Sequence, residues 1–305
     1  MDLATAAAPA DEGRHPPAAE QLWNESWYFD FTTEAGDLGG YVRLGLYPAL
    51  GVSWFWACLV GEGRPLVTVV DHEAPLPKAP GLELRTEGLW TSLNCESPLD
   101  HWSIGLEAFG VGRDDPAEAY GDGRGERTAL GLDLEWETVG GTYAYPGVSR
   151  YEVPCRVHGE VLVGRETLAF DGWGERDHSW GTRDWWAFPW CWTAGRLDDG
   201  TMWHASRPVI EGVRYEPGFV QGPGGMPEAI DAFTVTDELG RDGLPIASAL
   251  RVGPLELAVT PERFAPVRLD APDGRIGRLP RALSRATTPD GRAGWCWMEW
   301  NQPPT

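Results

Sequence analysis

The chain has 305 residues, 42% of them hydrophobic, and a formal net charge of −21 at neutral pH. This length fits one large β domain or two smaller domains, and it allows a sizeable buried core. A charge this negative repels phosphate backbones and anionic lipid surfaces, which excludes nucleic acid and acidic membranes as favoured partners.

The first 20 residues, MDLATAAAPADEGRHPPAAE, are rich in Ala and Pro. They lack the basic start and the long apolar run of a signal peptide. No later segment is apolar enough to cross a membrane, so we predict no membrane span. We predict that residues 1–20 form a disordered leader.

The five cysteines are scattered along the chain and form no CxxC pair. An odd number of scattered cysteines in a chain of this size predicts reduced thiols and a cytoplasmic location. The spacing favours neither a disulfide framework nor a zinc ribbon.

The 39 Gly and 26 Pro residues divide the chain into short segments, and no long helical period is visible between them. Short segments joined by turns are typical of β-sandwiches and barrels, so we predict an all-β fold. The predicted strands are 41–47, 52–60, 66–72, 82–86, 102–110, 130–137, 151–163, 166–171, 186–196, 202–208, 232–236, 255–260 and 293–300.

Seventeen Trp residues are more than a core of this size requires, so we expect some of them to line a binding surface. Three segments, VSWFWACLV, WAFPWCWTAG and AGWCWMEW, alternate aromatic side chains with other residues. Alternate side chains of a strand share one face. We predict that the three aromatic faces meet around a common interior. The residues aligned in this way are Trp54 with Trp56, Trp295 with Trp297, and Trp186 with Phe188, Trp190 and Trp192.

Residues 172–186, GWGERDHSWGTRDWW, combine two Arg-Asp pairs, one His and four Trp. The glycines predict a strand end, a tight connection and a new strand, across which the two Arg-Asp pairs form ion pairs. One interpretation is a purely structural corner. The other is that Asp177 points into an aromatic cavity, where it donates a proton and the Trp faces stabilise a developing cation.

Other chemistries have weaker support. His178 and His204 are metal-ligand types, but HxH and HExxH patterns are absent, and His178 points away from Asp177 if both lie on one strand. Glycine motifs for dinucleotides or phosphates are also absent, so we predict neither a metal nor a cofactor. Glu96 and Glu152 are second-choice acids or ordinary turn residues.

Three parts of the sequence resemble the carotenoid 1,2-hydratase/AttH-like superfamily, including an actinobacterial group within it. They are WNESWYFDF with GGYVRLGLYPALGVSWFWA, CESPLDHW with RYEVPCRVHGEVLVG, and GWGERDHSWGTRDW. The last is similar to the family's Trp-x-Asp-His-x-Trp-Gly signature. Here Arg176 stands where the family often has an apolar residue, and Trp173 lies further upstream.

The resemblance covers roughly residues 20–305 and implies two lipocalin-like antiparallel β domains with a ligand cavity near their junction. We place these domains at residues 21–165 and 166–305. Members of the superfamily include hydratases of isoprenoid double bonds, and related fungal proteins act as Diels–Alderases. Fold alone does not choose among these chemistries.

We therefore predict a cofactor-free enzyme that hydrates, isomerises or cyclises a hydrophobic unsaturated small molecule, such as an isoprenoid or a polyketide. The alternatives are a pericyclase that shapes a polyene and a lipocalin-like carrier without chemistry. We also consider that two copies of the chain form a homodimer. The predicted catalytic residues are Asp177, His178, Arg183 and Asp184, and the predicted substrate-binding residues are Trp54, Trp56, Glu152, Trp180, Trp185, Trp186, Trp190, Trp192 and His204.

Overall fold

The computed structural model describes residues 7–121 and 124–304, which form 22 β-strands and the short 3-10 turns Pro9–Glu12 and Pro116–Tyr120. The all-β prediction is confirmed. None of the described residues belongs to a helix long and apolar enough to cross a membrane. The strands are β1 (Trp23–Thr33), β2 (Leu38–Tyr47), β3 (Val52–Gly61), β4 (Leu66–Pro75), β5 (Glu83–Thr86), β6 (Leu89–Ser97), β7 (His101–Arg113), β8 (Glu126–Thr138), β9 (Tyr143–Ala144), β10 (Arg150–Val163), β11 (Glu166–Thr182), β12 (Trp190–Leu197), β13 (Met202–Pro208), β14 (Gly218–Gln221), β15 (Glu228–Ala229), β16 (Phe233–Leu239), β17 (Pro245–Val252), β18 (Leu255–Phe264), β19 (Val267–Asp270), β20 (Ile276–Leu279), β21 (Arg281–Thr287) and β22 (Ala293–Asn301).

The first sheet closes into a barrel. Its strand order is β4-β3-β2-β1-β11-β10-β8-β7-β6-β5, with β9 paired to β10. β4 also pairs with β7, where Leu66 lies opposite Arg113, so β1 to β4, β7, β8, β10 and β11 form a closed ring. Closure removes the open edges of these eight strands, and an eight-stranded interior is small enough for side chains to fill.

The second sheet has the order β15-β14-β13-β12-β22-β21-β18-β17-β16, and β19 pairs with β20 as a separate hairpin. β13 also contacts β16 and β17, so this sheet curls on itself. The chain passes from one sheet to the other at residues 183–189, later than the boundary that we placed at 165. β11 belongs to the first sheet because it pairs with β1 on one side and β10 on the other. That each sheet folds as a separate domain stays a prediction.

Buried side chains form separate groups inside the barrel, inside the second sheet and between the two sheets. The group between the sheets includes Trp54, Trp56, Trp192 and Trp297, so the prediction that the aromatic strands meet is confirmed. One part of it is wrong, because β12 begins only at Trp190. Residues 186–189 form a turn instead.

The described part of the leader is ordered, contrary to our prediction for residues 1–20. Pro9–Glu12 forms a 3-10 turn, and Glu12 is only 4% exposed. Its carboxylate lies 2.9 Å from Arg176 and accepts hydrogen bonds from the Tyr151 hydroxyl at 2.8 Å and the Trp102 indole at 3.0 Å. Buried carboxylates require such partners, and the barrel supplies them. Residues 1–6 lie outside the described residues.

β1 and β11 approach each other closely at a glycine. A Cβ atom on Gly174 would lie 1.9 Å from the carbonyl oxygen of Asp30 in the facing backbone. Because the two backbones would have to separate, we expect Gly174→Ala to lower the free energy of unfolding by about 1–3 kcal/mol in urea titrations. Gly222→Ala, where the added methyl group meets no atom within 4 Å, is the control. Equal stability of the two variants would contradict the close approach.

Candidate active site between the two sheets

The charged stretch that the sequence singles out lies mostly on β11, in the wall between the barrel and the second sheet. Arg176 and His178 point into the barrel, where Arg176 meets Glu12 and His178 stacks on Trp27 at 4.4 Å. Asp177 points the other way and lines a pocket between the sheets. The opposite orientation of Asp177 and His178 is thus confirmed. The tight connection predicted within residues 172–186 lies later than expected, because residues 172–179 pair continuously with β10 and β11 runs on to Thr182.

The pocket between the sheets, hereafter the inter-sheet pocket, is small and charged. Its cavity has a volume of about 30 Å³, which is room for a water molecule or one small polar group of a ligand. The lining consists of four guanidinium groups, two carboxylates, two hydroxyl groups and two indoles. These belong to Arg43, Arg150, Arg183 and Arg281, to Asp177 and Glu299, to Ser26 and Tyr28, and to Trp185 and Trp192.

Two ion pairs lie in the pocket wall. Arg150 binds Asp177 through Nη2 at 2.9 Å and also binds Glu152 through Nε. Arg281 binds Glu299 through Nη1, likewise at 2.9 Å. These guanidinium groups hold both carboxylates of the pocket in fixed positions, as charge-assisted hydrogen bonds do elsewhere.

The ion pairs predicted within the Arg-Asp dipeptides do not form. Asp177 binds Arg150 instead of Arg176, because neighbouring residues of a strand face opposite sides. Asp184 lies after the end of β11 and binds Arg275 at 3.1 Å. Arg183 donates a hydrogen bond to the Ser179 hydroxyl at 2.7 Å.

Behind the pocket wall lie buried carboxyl groups whose pKa values are raised to neutral pH or above. Burial raises the pKa of Glu152 to about 8 and that of Asp30 to about 7. Burial, followed by the nearby Glu152 charge, raises the pKa of Glu175 well above its usual range. Burial also lowers the pKa of His204 far enough to keep its ring neutral. Asp30 is linked to the pocket, because it accepts a hydrogen bond from the Tyr28 hydroxyl at 3.1 Å.

Two groups of side chains each bring metal-ligand atoms within 4.8 Å of one another. The first is His15, Glu25 and His178, and the second is Glu152, Glu175 and His204. In one of them, His178 and Glu25 already contact each other at 3.1 Å. In the other, which is fully buried, metal binding would require carboxylates without protons. Burial raises the pKa of both Glu152 and Glu175, so binding of an ion there would displace protons.

Four of the predicted site residues line the inter-sheet pocket, namely Asp177, Arg183, Trp185 and Trp192. Glu152 and His204 lie just behind its wall, 3.5 Å apart. The structure thus brings together a large part of the predicted site, while the chemical roles of these residues stay predictions.

Four predicted tryptophans pack around the pocket. Trp56 and Trp190 pack against the pocket residue Trp185, with ring centroids 5.8 and 5.2 Å away. Trp54 packs against Trp56 at 6.4 Å and against Trp186 at 6.0 Å. These indoles form the wall that supports the pocket.

Three predicted site residues lie elsewhere. His178 and Trp180 are on the barrel side of β11, where Trp180 stacks on His15 at 3.7 Å. Asp184 lies near the surface with its partner Arg275. None of the three touches the inter-sheet pocket, because strand alternation and the end of β11 direct them away from it.

The sequence analysis missed three of the four pocket arginines. Arg43 lies on β2, all of whose residues are buried. A single Arg in an otherwise uncharged strand is the sequence signal that could have indicated it as a site residue. Arg281 starts β21, a strand that was not predicted. Arg150 and Asp177 lie on paired strands, but the sequence carries no sign of that register.

The fold and site define a class of protein in which a closed β-barrel packs on a second, curled β-sheet, with a charged pocket between them. The chain belongs to the family described as a domain of unknown function, DUF7064, whose sequence model matches residues 8–304. Among curated proteins, none has significant sequence similarity to it.

Solved structures share the fold at low sequence identity. A Nitrosomonas europaea protein described as an AttH is 16% identical, with a TM-score of 0.66 over 97% of both chains. Kievitone hydratase from Nectria haematococca is 12% identical, with a TM-score of 0.60 over 93% of this chain and 90% of its own. CghA in complex with Sch210972 is 11% identical, with a TM-score of 0.56 over 93% and 89%. At these identities the likeness shows a shared fold, which confirms the fold that the resemblance implied.

Proposed function

We propose that this chain is an enzyme that transfers protons to and from a hydrophobic, unsaturated small molecule bound at the inter-sheet pocket, without a cofactor. The observation that carries the proposal is Asp177, a buried carboxyl group set among indoles and guanidinium groups in a small pocket. A carboxyl group positioned in this way contributes about 10²–10⁴-fold as a general acid or base. The resulting reaction is a hydration, an isomerisation or a cyclisation.

The charges of the pocket favour an anionic intermediate over a carbocation. Four guanidinium groups and only two carboxylates line it, so a cation formed there would be repelled. An intermediate in which a carbonyl oxygen takes up negative charge is stabilised by the same groups. We therefore replace the expectation that indoles stabilise a cation with a role in shaping the cavity.

Proton supply is local in this proposal. Glu152 lies opposite Asp177 on the neighbouring strand, and both bind Arg150. Because burial raises the pKa of Glu152 to about 8, it carries a proton at neutral pH. Similarity to structures of a hydratase and of a complex with an organic small molecule supports this reaction class.

Replacing Asp177 with Asn should lower turnover by about 10²–10⁴-fold and leave the fold intact. The measurement is mass spectrometry in deuterated water, with an extract of hydrophobic metabolites from the source organism as substrate. Wild-type protein should place deuterium on carbon in a product, and the variant should not. Asp171→Asn is the matched control, because Asp171 lies on the same strand but is exposed and bound to Arg156.

The same experiment distinguishes the alternatives. A new isomer without deuterium on carbon would replace proton transfer with a pericyclic reaction. Ligands that co-purify unchanged with both proteins would indicate a carrier. Equal deuterium incorporation by wild type and Asp177→Asn would remove the acid–base role of Asp177.

A further inference from the structure

Arg43 has no charged partner in the pocket. Its side chain is 3% exposed, and within the described ranges 7–121 and 124–304 no carboxylate lies within ion-pair distance of it. Its guanidinium group lies over the rings of Trp56 and Trp185, at 4.5 and 5.0 Å. Gly45 makes room for it, because a Cβ atom there would be 2.6 Å from Nη1. The guanidinium group is therefore held in place by surroundings that do not neutralise it.

The polar atoms left without partners in the pocket wall are all donors. Nε of Arg281 and the indole nitrogen of Trp192 are buried and form no hydrogen bond with the described residues. Nη1 and Nη2 of Arg43 and the indole nitrogen of Trp185 are also buried, and the acceptor beside them is the neutral Tyr47 hydroxyl. The Arg183 guanidinium group donates a hydrogen bond to the neutral Ser179 hydroxyl, and no carboxylate among the described residues lies within ion-pair distance of it. Buried donors without acceptors, and buried charges without counter-charges, are costly to fold. This pattern indicates a site that is complete only when an anion with several acceptor oxygens occupies it.

We propose that the inter-sheet pocket binds a carboxylate group of the substrate. Arg43 and Arg183 are its charge partners, and the indole N–H groups of Trp185 and Trp192 are additional donors. A carboxylate matches the planar fork of a guanidinium group, and it fits a cavity of about 30 Å³. This inference rests on the proposed function only in calling the ligand a substrate. It narrows the substrate class to unsaturated hydrophobic acids.

The probe is acetate, which carries the carboxylate without a tail. At equal ionic strength and pH, sodium acetate should raise the Tm of the wild-type protein above its value in sodium chloride by about 2–4 °C. Acetamide, which has the same shape without the charge, should not raise it. An equal effect of chloride and acetate would mean an unselective anion effect and would overturn the carboxylate assignment.

Replacing single buried arginines shows where acetate acts on the Tm. Arg43→Met should abolish the acetate shift, and it should raise the Tm measured in chloride, because a buried charge without a partner is removed. Arg113→Met is the matched control, since Arg113 is also buried but lies outside the pocket and binds the Thr68 hydroxyl. It should keep the full acetate shift. If Arg43→Met does not fold, Arg183→Met gives the same test on the other charge partner.

An acetate shift that survives in Arg43→Met or Arg183→Met would overturn the proposed partners. The readout involves no turnover, so it is independent of the proposed reaction. Acetate binding without deuterium incorporation would keep the carboxylate site and remove the chemistry. Deuterium incorporation without acetate binding would keep the proposed chemistry and remove the carboxylate site.

Discussion

Replacing Glu12 with Gln should lower the free energy of unfolding by about 3–5 kcal/mol, because it leaves the buried Arg176 charge without a partner. The Glu12 carboxylate lies 2.9 Å from Arg176, and it also accepts hydrogen bonds from Tyr151, Trp102 and the backbone N–H of Leu99. Gln preserves the size of the side chain, so the loss reports charge and hydrogen bonding. Urea unfolding followed by tryptophan fluorescence measures it.

Two comparisons make this result specific to the buried pair. Asp171→Asn breaks the exposed ion pair with Arg156 and should cost less than about 1 kcal/mol. Combining Glu12→Leu with Arg176→Met removes both charges and should recover much of the stability that Glu12→Gln loses. If Glu12→Gln is as stable as Asp171→Asn, the N-terminal turn does not seat its carboxylate in the barrel.

The same pair shows why the leader was misjudged. Glu12 lies in an Ala- and Pro-rich stretch without periodicity, which is typical of disorder. Its partner Arg176 lies 164 residues away along the chain. Local composition carries no information on contacts at such a separation, so the order of this segment is visible only in the folded barrel.

Burial on one or both faces did not by itself decide which strands were predicted: the alternating β7 and the almost fully buried β2 and β3 were predicted, while the alternating β17 and the buried β1 were missed. β7 alternates buried and more exposed residues over much of its length, and most of it was predicted from the sequence. β1 was missed although it lies in the centre of the first sheet, and its first nine residues are all buried. One of its faces lies in the barrel and the other meets the second sheet, which erases the period of two.

The candidate site was predictable in its composition but not in its geometry. The cluster of charges and indoles in residues 172–186 correctly drew attention to Asp177, Arg183 and Trp185, all of which line the pocket. The other guanidinium groups come from β2, β10 and β21, which meet only through the barrel and the packing of the two sheets. The positive charge of the pocket therefore could not be predicted from residues 172–186. It is this charge that favours an anionic intermediate over the carbocation expected from the sequence.

Replacing Asp30 with Asn should flatten the dependence of stability on pH by about 1.4 kcal/mol per pH unit between pH 5 and pH 6, and by less as the pH approaches 7. Burial raises the pKa of Asp30 from its ordinary range to about 7 in the folded protein. Folding therefore takes up a proton in this window. The contribution of Asp30 to the free energy of unfolding is complete at acidic pH and is lost as the pH rises through 7. Asn imitates the protonated carboxyl group and does not titrate.

Urea titrations at several pH values give the slope for each protein. Asp171→Asn should keep the wild-type slope between pH 5 and pH 7, because its hydrogen bond with Arg156 lowers the pKa of Asp171. A carboxyl group with a lowered pKa loses its contribution as the pH falls through that pKa, which lies below the window. Identical slopes for wild type and Asp30→Asn would show that Asp30 is ionised throughout. Asp30 would then not be one of the carboxyl groups whose pKa burial raises.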